Sequence, residues 1–162
     1  AAEKYLRKGS DSQCSSGGSG GNGGNTYGGC TGKGTVKNRY SSTTVSDDGV
    51  KDKLQQIANF FCSVIEVFSG DRNNGGKSLH DHHRAADFWV NRFNARTEGI
   101  KIWNAFRAST LFTDEGWEVI WHGSETDTGG IHFHIGRYGD HRSTCYMQEG
   151  TNKSNIGKYR CE

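Results

Sequence analysis

The chain has 162 residues, enough for one domain with an ordinary core. Only 31% of its residues are hydrophobic and the mean hydropathy is −0.81, so no apolar run approaches the length of a membrane span. A net charge of +2, a pI near 8.3 and the lack of any run of like charges argue against a nucleic-acid-binding arm, while the mild basicity suits an anionic polymer.

Residues 1–8, AAEKYLRK, read as either a helical turn or a frayed terminus. No apolar segment follows Ala1-Ala2-Glu3, so the start reads as a processed mature end rather than a signal peptide. Residues 9–34 are rich in glycine, serine and asparagine and need a staple to offset their backbone entropy. The GGCTGKGT run at 28–35 lacks the leading glycine of a phosphate loop and reads as plain loop. Residues 36–45 are β-prone and predict a strand.

Ser46-Asp47-Asp48 makes a good helix cap. Leu54, Ile57, Ala58, Phe61, Val64, Ile65 and Phe68 then recur at helical spacing and predict a helix over about 48–67. The β-branched run VIEVF at 64–68 reads alternatively as a strand. IKIWNAFRASTLF at 100–112 predicts a second helix. GWEVIWHG at 116–123 and GIHFHIGRY at 130–138 predict a hairpin around the turn SETDTGG at 124–130. The polar tail at 139–162 holds Cys145 and Cys161, and no proline occurs anywhere.

Five cysteines with no C-x-x-C spacing favour disulfides and a secreted or periplasmic setting. The expected pairs are Cys14–Cys30 across the glycine-rich segment and Cys145–Cys161 across the tail. Cys62, on the apolar helix face, is expected to be a buried free thiol.

The chemistry concentrates in SLHDHHRAADF at 78–88, which holds three histidines and two aspartates within eight residues. A histidine before a tight loop and an aspartate on the strand after it can converge on one point, and imidazole nitrogen with carboxylate oxygen suits zinc. In the strand after residue 130, His132 and His134 share one face, while Ile131, Phe133 and Ile135 take the other.

SGDR at 69–72, SLHDHHRAAD at 78–87 and GIHFH at 130–134 together resemble the zinc D-Ala-D-Ala metallopeptidases. That group also holds lysostaphin-type endopeptidases and the hedgehog signalling domain. The family pattern S-G-x-R, S-x-H-x-x-G-x-A-x-D, H-x-H is met except at His83, which stands where the family usually has glycine. The likeness spans roughly residues 45–140 and implies a zinc-peptidase core there. Residues 1–44 then form a glycine-rich extension, and 141–162 a disulfide-linked tail on the same domain.

The resemblance implies a zinc ion held by His80, Asp87 and His134. His132 would be the general base or transition-state stabiliser, with an outer role orienting a ligand as the alternative. Arg72 would clamp a substrate carboxylate or else pair structurally with Asp71 or Asp87. Ser78 is expected to bond near the ligand loop, and His82, His83, His122 and Asp127 are further polar groups. Trp117, Trp121 and Tyr138 would wall a groove or lie in the core.

The expected fold is α+β, a small antiparallel sheet carrying the metal on one face with helices behind it. The expected activity is hydrolysis of peptidoglycan stem peptides by a secreted monomer, as D,D-carboxypeptidase or endopeptidase. A zinc-containing binding or signalling domain of the same fold is the rival.

Overall fold

The computed structural model describes residues 27–162. Two helices cover one face of a six-stranded sheet, an α+β arrangement. The strands are β1 Thr35–Asn38, β2 Val64–Ser69, β3 Ala85–Val90, β4 Trp117–His122, β5 His132–Arg137 and β6 Cys145–Glu149, in the order β1-β2-β3-β5-β4-β6. The helices are α1 Asp48–Phe61 and α2 Ala95–Ala108.

The sheet is mixed rather than wholly antiparallel. The pairs β2–β3, β3–β5 and β5–β4 are antiparallel, but the edge strands β1 and β6 run parallel to β2 and β4. Each parallel edge is reached by a long crossover: α1 joins β1 to β2, and β5 with its turns separates β4 from β6.

Alternation along the strands separates two faces. Ile65, Val67, Ala86, Phe88, Val90, Val119, Phe133 and Ile135 point to the helices and form the core with Leu54, Ile57, Phe61, Trp103 and Phe106. Trp117 and Trp121 belong to this helix-covered side, so neither walls a groove. Gly99 lets α2 approach the sheet: a Cβ there would lie 2.7 Å from the Trp121 ring. This glycine sits inside the helix, which begins five residues before the predicted Ile100. Its start is set by Asn94, whose Oδ1 accepts from Arg96 and Thr97 N–H, while Glu98 Oε2 accepts from Asn94 N–H.

The first helix is shorter than its periodicity suggested, ending at Phe61. Cys62 takes a left-handed conformation (φ 45°), and Ser63 N–H donates to Ala58 O, a Schellman-type stop. VIEVF is accordingly the start of β2, and the predicted strand at 36–45 is confined to β1.

Cys62 is bonded to Cys30, not free, and Cys14 lies outside the described residues. The helix stop turns Cys62 toward the incoming chain, where Cys30 N–H donates to Phe60 O. Cys145–Cys161 pairs as expected and ties the C-terminal segment to β6.

Asp47 links α1 to the sheet. Its Oδ1 accepts from Val50 N–H at 2.9 Å, and its two oxygens take Arg137 Nε and Nη2 at 3.0 and 2.8 Å. Burial alone would raise its pKa, but the Arg137 and helix N–H bonds outweigh it and hold the carboxyl below its usual range. Asp47→Ala is expected to cost about 1–3 kcal/mol at neutral pH, the cap and the charged bonds together. A depressed folded-state pKa contributes stability above the unfolded value of about 4 and loses it on acidification. Denaturant melts at pH 7 and pH 3 should therefore show a smaller gap between wild type and variant at the lower pH.

Candidate metal centre

The sheet face opposite the helices carries the site. Asp87 on β3 and His134 on β5 are direct cross-strand partners, and His132 stands opposite His122 of β4. Glu118, Ile120 and His122 share this face with them, as the alternation of β4 requires.

His80 arrives from the connection between β2 and β3. Ser78 Oγ accepts from His80 N–H at 3.0 Å, and His80 O accepts from Arg72 N–H and His83 N–H, both at 3.0 Å. His83 closes the turn in the left-handed region at φ 57°, the conformation that a glycine enters freely. Its Nε2 bonds Asn73 Oδ1 and Arg72 O, so this imidazole braces the loop and takes no part in the cluster. The turn lies down on β5 because Gly136 is bare: a Cβ there would sit 2.5 Å from Leu79 Cδ1.

Three buried donors converge. His80 Nε2 lies 3.1 Å from Asp87 Oδ1 and 3.2 Å from His134 Nδ1, and His134 Nδ1 lies 2.9 Å from the same Asp87 oxygen. Together they form a group able to hold a metal ion. The outer bonds set the tautomers. His80 Nδ1 donates to Gly70 O at 2.7 Å, and His134 Nε2 donates to Glu118 Oε1 at 3.0 Å. The outer bonds thus leave the inward nitrogens as the atoms that can take a cation, a metal ion or a proton, beside the Asp87 carboxylate. Tetrahedral zinc with bonds near 2.0–2.2 Å spaces its ligand atoms about 3.3–3.6 Å apart, a few tenths wider than here. The residues fit the ion, and the outward partners are those that usually orient histidine ligands.

The electrostatics agree. Burial would raise the Asp87 pKa, but bonds from His134 and His80 hold the carboxyl well below its usual range. Burial also opposes a proton on His134, yet its bonds to Asp87 and Glu118 raise it to about 9. A proton on Nδ1 therefore satisfies the metal-free cluster.

His132 stands beside the three. Its Nδ1 donates to Gly130 O at 2.7 Å, which leaves Nε2 as an acceptor 3.7 Å from Asp87 Oδ1. Burial, only partly offset by Asp87, lowers its pKa to about 4, so the ring is neutral at pH 7. The His122 ring stacks on it at 4.3 Å. His122 Nδ1 in turn meets the fully buried Glu149 at 2.6 Å.

Arg72 Nη2 donates to Asp87 Oδ2 at 3.0 Å and to Ser69 Oγ at 2.8 Å. Asp87, not Asp71, is therefore its partner. Its side chain is 40% exposed, leaving part of the guanidinium open to the cavity of about 400 Å³ that the triad also lines.

No family model, curated protein or solved structure matches this chain. The chemistry of these side chains is what carries a functional reading.

Sequence reasoning passed over or set aside two residues that line the cavity, Glu118 and Tyr159, and one buried behind it, Glu149. Glu118 lies far from His134 in sequence, and the hairpin register brings it alongside. Its phase in β4, opposite to Trp117 and Val119, was the available signal. Glu149 is reached only through the parallel pairing of β6, and Tyr159 only through the C-terminal disulfide. Tyr138 lies next to Glu118, with its hydroxyl 3.4 Å from Oε2, while His82 and Asp127 are not among the residues lining the cavity.

Proposed function

We propose that the chain is a secreted zinc peptidase that hydrolyses peptide bonds in peptidoglycan stem peptides, as a D,D-carboxypeptidase or endopeptidase. One observation carries the reading: two tautomer-fixed imidazoles and a carboxylate converge in an open cavity, with the neutral imidazole of His132 beside them on the strand of His134. The order of the SGDR, SLHDHHRAAD and GIHFH motifs supports the peptidase class, and the two disulfides support an oxidising, extracellular setting.

His80, Asp87 and His134 would hold the ion. When bound there, zinc supplies Lewis acidity toward a carbonyl and brings the pKa of a bound water to about 7. His132 Nε2, kept free of a proton by burial, accepts the proton released during attack and returns it to the leaving amine. The Gly130 carbonyl fixes its ring orientation throughout. Arg72 steadies Asp87 with Nη2 and offers its exposed edge to a peptide carboxylate.

Digestion of purified peptidoglycan by the zinc-loaded protein, followed by identification of the new chain ends, tests this function. Zinc retained with no cleavage at any pH between about 5 and 9, the range of imidazole and zinc-water titration, would favour the non-catalytic binding domain instead. Arg72→Lys keeps the charge and loses the fork. It is expected to raise KM for carboxylate-terminated peptides about tenfold at unchanged zinc content, checked by steady-state kinetics on free and amidated peptides.

A further inference from the structure

The cavity has two unlike sides. Arg72 and Ser78 line it from the β2–β3 connection, and Ile120 with Tyr159 lines it from the β4 side. Tyr159 is an unusual wall, because no helix or strand carries it. The residue is 48% exposed, yet anchors grip the chain on either side of it. Before it, Gly157 N–H donates to Glu149 Oε1 at 2.7 Å. After it, Cys161 is bonded to Cys145 and Glu162 N–H donates to Tyr146 O at 2.8 Å. Arg107 adds an ion pair to Glu162 at 3.0 Å.

Singly exposed large apolar residues are ordinary, and Tyr40, Ile100 and Ile156 are such residues away from this cavity. Tyr159 differs in meeting the His122 ring edge-on, at 6.1 Å between centroids, inside the triad's own cavity. An aromatic residue whose main chain is fixed on both sides loses less freedom on contact, which suits a recognition surface.

We propose that Tyr159, held by the Cys145–Cys161 clip, is the specificity wall of this cleft. It receives an apolar side chain next to the scissile bond, while the Arg72 side receives the polar end of the peptide. The proposal rests on the zinc-peptidase reading. It assigns the C-terminal segment to the active cleft, and makes selectivity, but not metal binding, depend on that disulfide.

The test uses cobalt-loaded protein and two metal-directed probes, acetohydroxamate and a hydroxamate bearing a phenyl group, with binding followed in the visible spectrum. Tyr159→Ala should bind acetohydroxamate as wild type does and lose about fivefold to tenfold in affinity for the phenyl probe, the worth of one aromatic contact. Cys145→Ser with Cys161→Ser should show the same selective loss at full metal content. Unchanged affinity of Tyr159→Ala for both probes would overturn the wall. A double-cysteine variant with wild-type selectivity would overturn the role of the clip. Failure of both probes to bind the wild-type protein would instead overturn the metal-centre reading beneath it.

Discussion

Replacing either His80 or His134 with alanine is expected to abolish stable zinc binding. The wild-type chain should carry about one ion, because three donors meet at a single point and tetrahedral zinc leaves the fourth position for water or substrate. Removing one histidine leaves two protein ligands and opens a hole in a buried cluster. The affinity loss should exceed the roughly 10–100-fold that accompanies loss of an outer hydrogen-bond partner. Metal analysis after equilibration with a weak chelator reads this directly. Undiminished zinc in either variant would remove that histidine from the ligand set. His134→Ala also frees Glu118 and Asp87 from their shared partner, so a melt of the metal-free variant should accompany the analysis.

His132→Ala should separate catalysis from metal binding. The imidazole shares a strand face with His134, yet its Nε2 lies 3.7 Å from Asp87 Oδ1, farther than the nitrogens of His80 and His134, and its Nδ1 is committed to the Gly130 carbonyl. Zinc content should stay near wild type, while kcat on stem peptides falls about 10²–10⁴-fold, the usual contribution of a positioned acid or base. Loss of zinc in this variant would make His132 a ligand. Full activity would move the base elsewhere, and His122 is then the nearest imidazole, stacked on His132 and oriented by Glu149.

Much of this centre was legible because its signals are local. A strand alternates sides at every residue, so His132 and His134 had to share a face once 130–138 was read as a strand. The helix cap at Asp47 and the apolar spacing of α1 are likewise settled by near neighbours. The turn that carries His80 was less legible, since it depends on a non-glycine residue adopting φ 57° at His83 and on the bare backbone of Gly136 beneath Leu79.

The sequence by itself determined the phase of β4, β5 and α1: which side chains of each share a face. Tertiary structure alone decided the partners across distance. It chose Cys62 for Cys30, set β1 and β6 parallel at the edges, and brought Glu118 to His134, Glu149 to His122 and Tyr159 to the cavity. The reason is energetic. Closing a longer loop costs only slightly more entropy, because the cost grows with the logarithm of its length, so spacing scarcely ranks one distant pairing above another. The choice falls to whichever arrangement buries the apolar faces of both helices and all the inner strands at once, and that is a property of the whole chain rather than of any stretch of it.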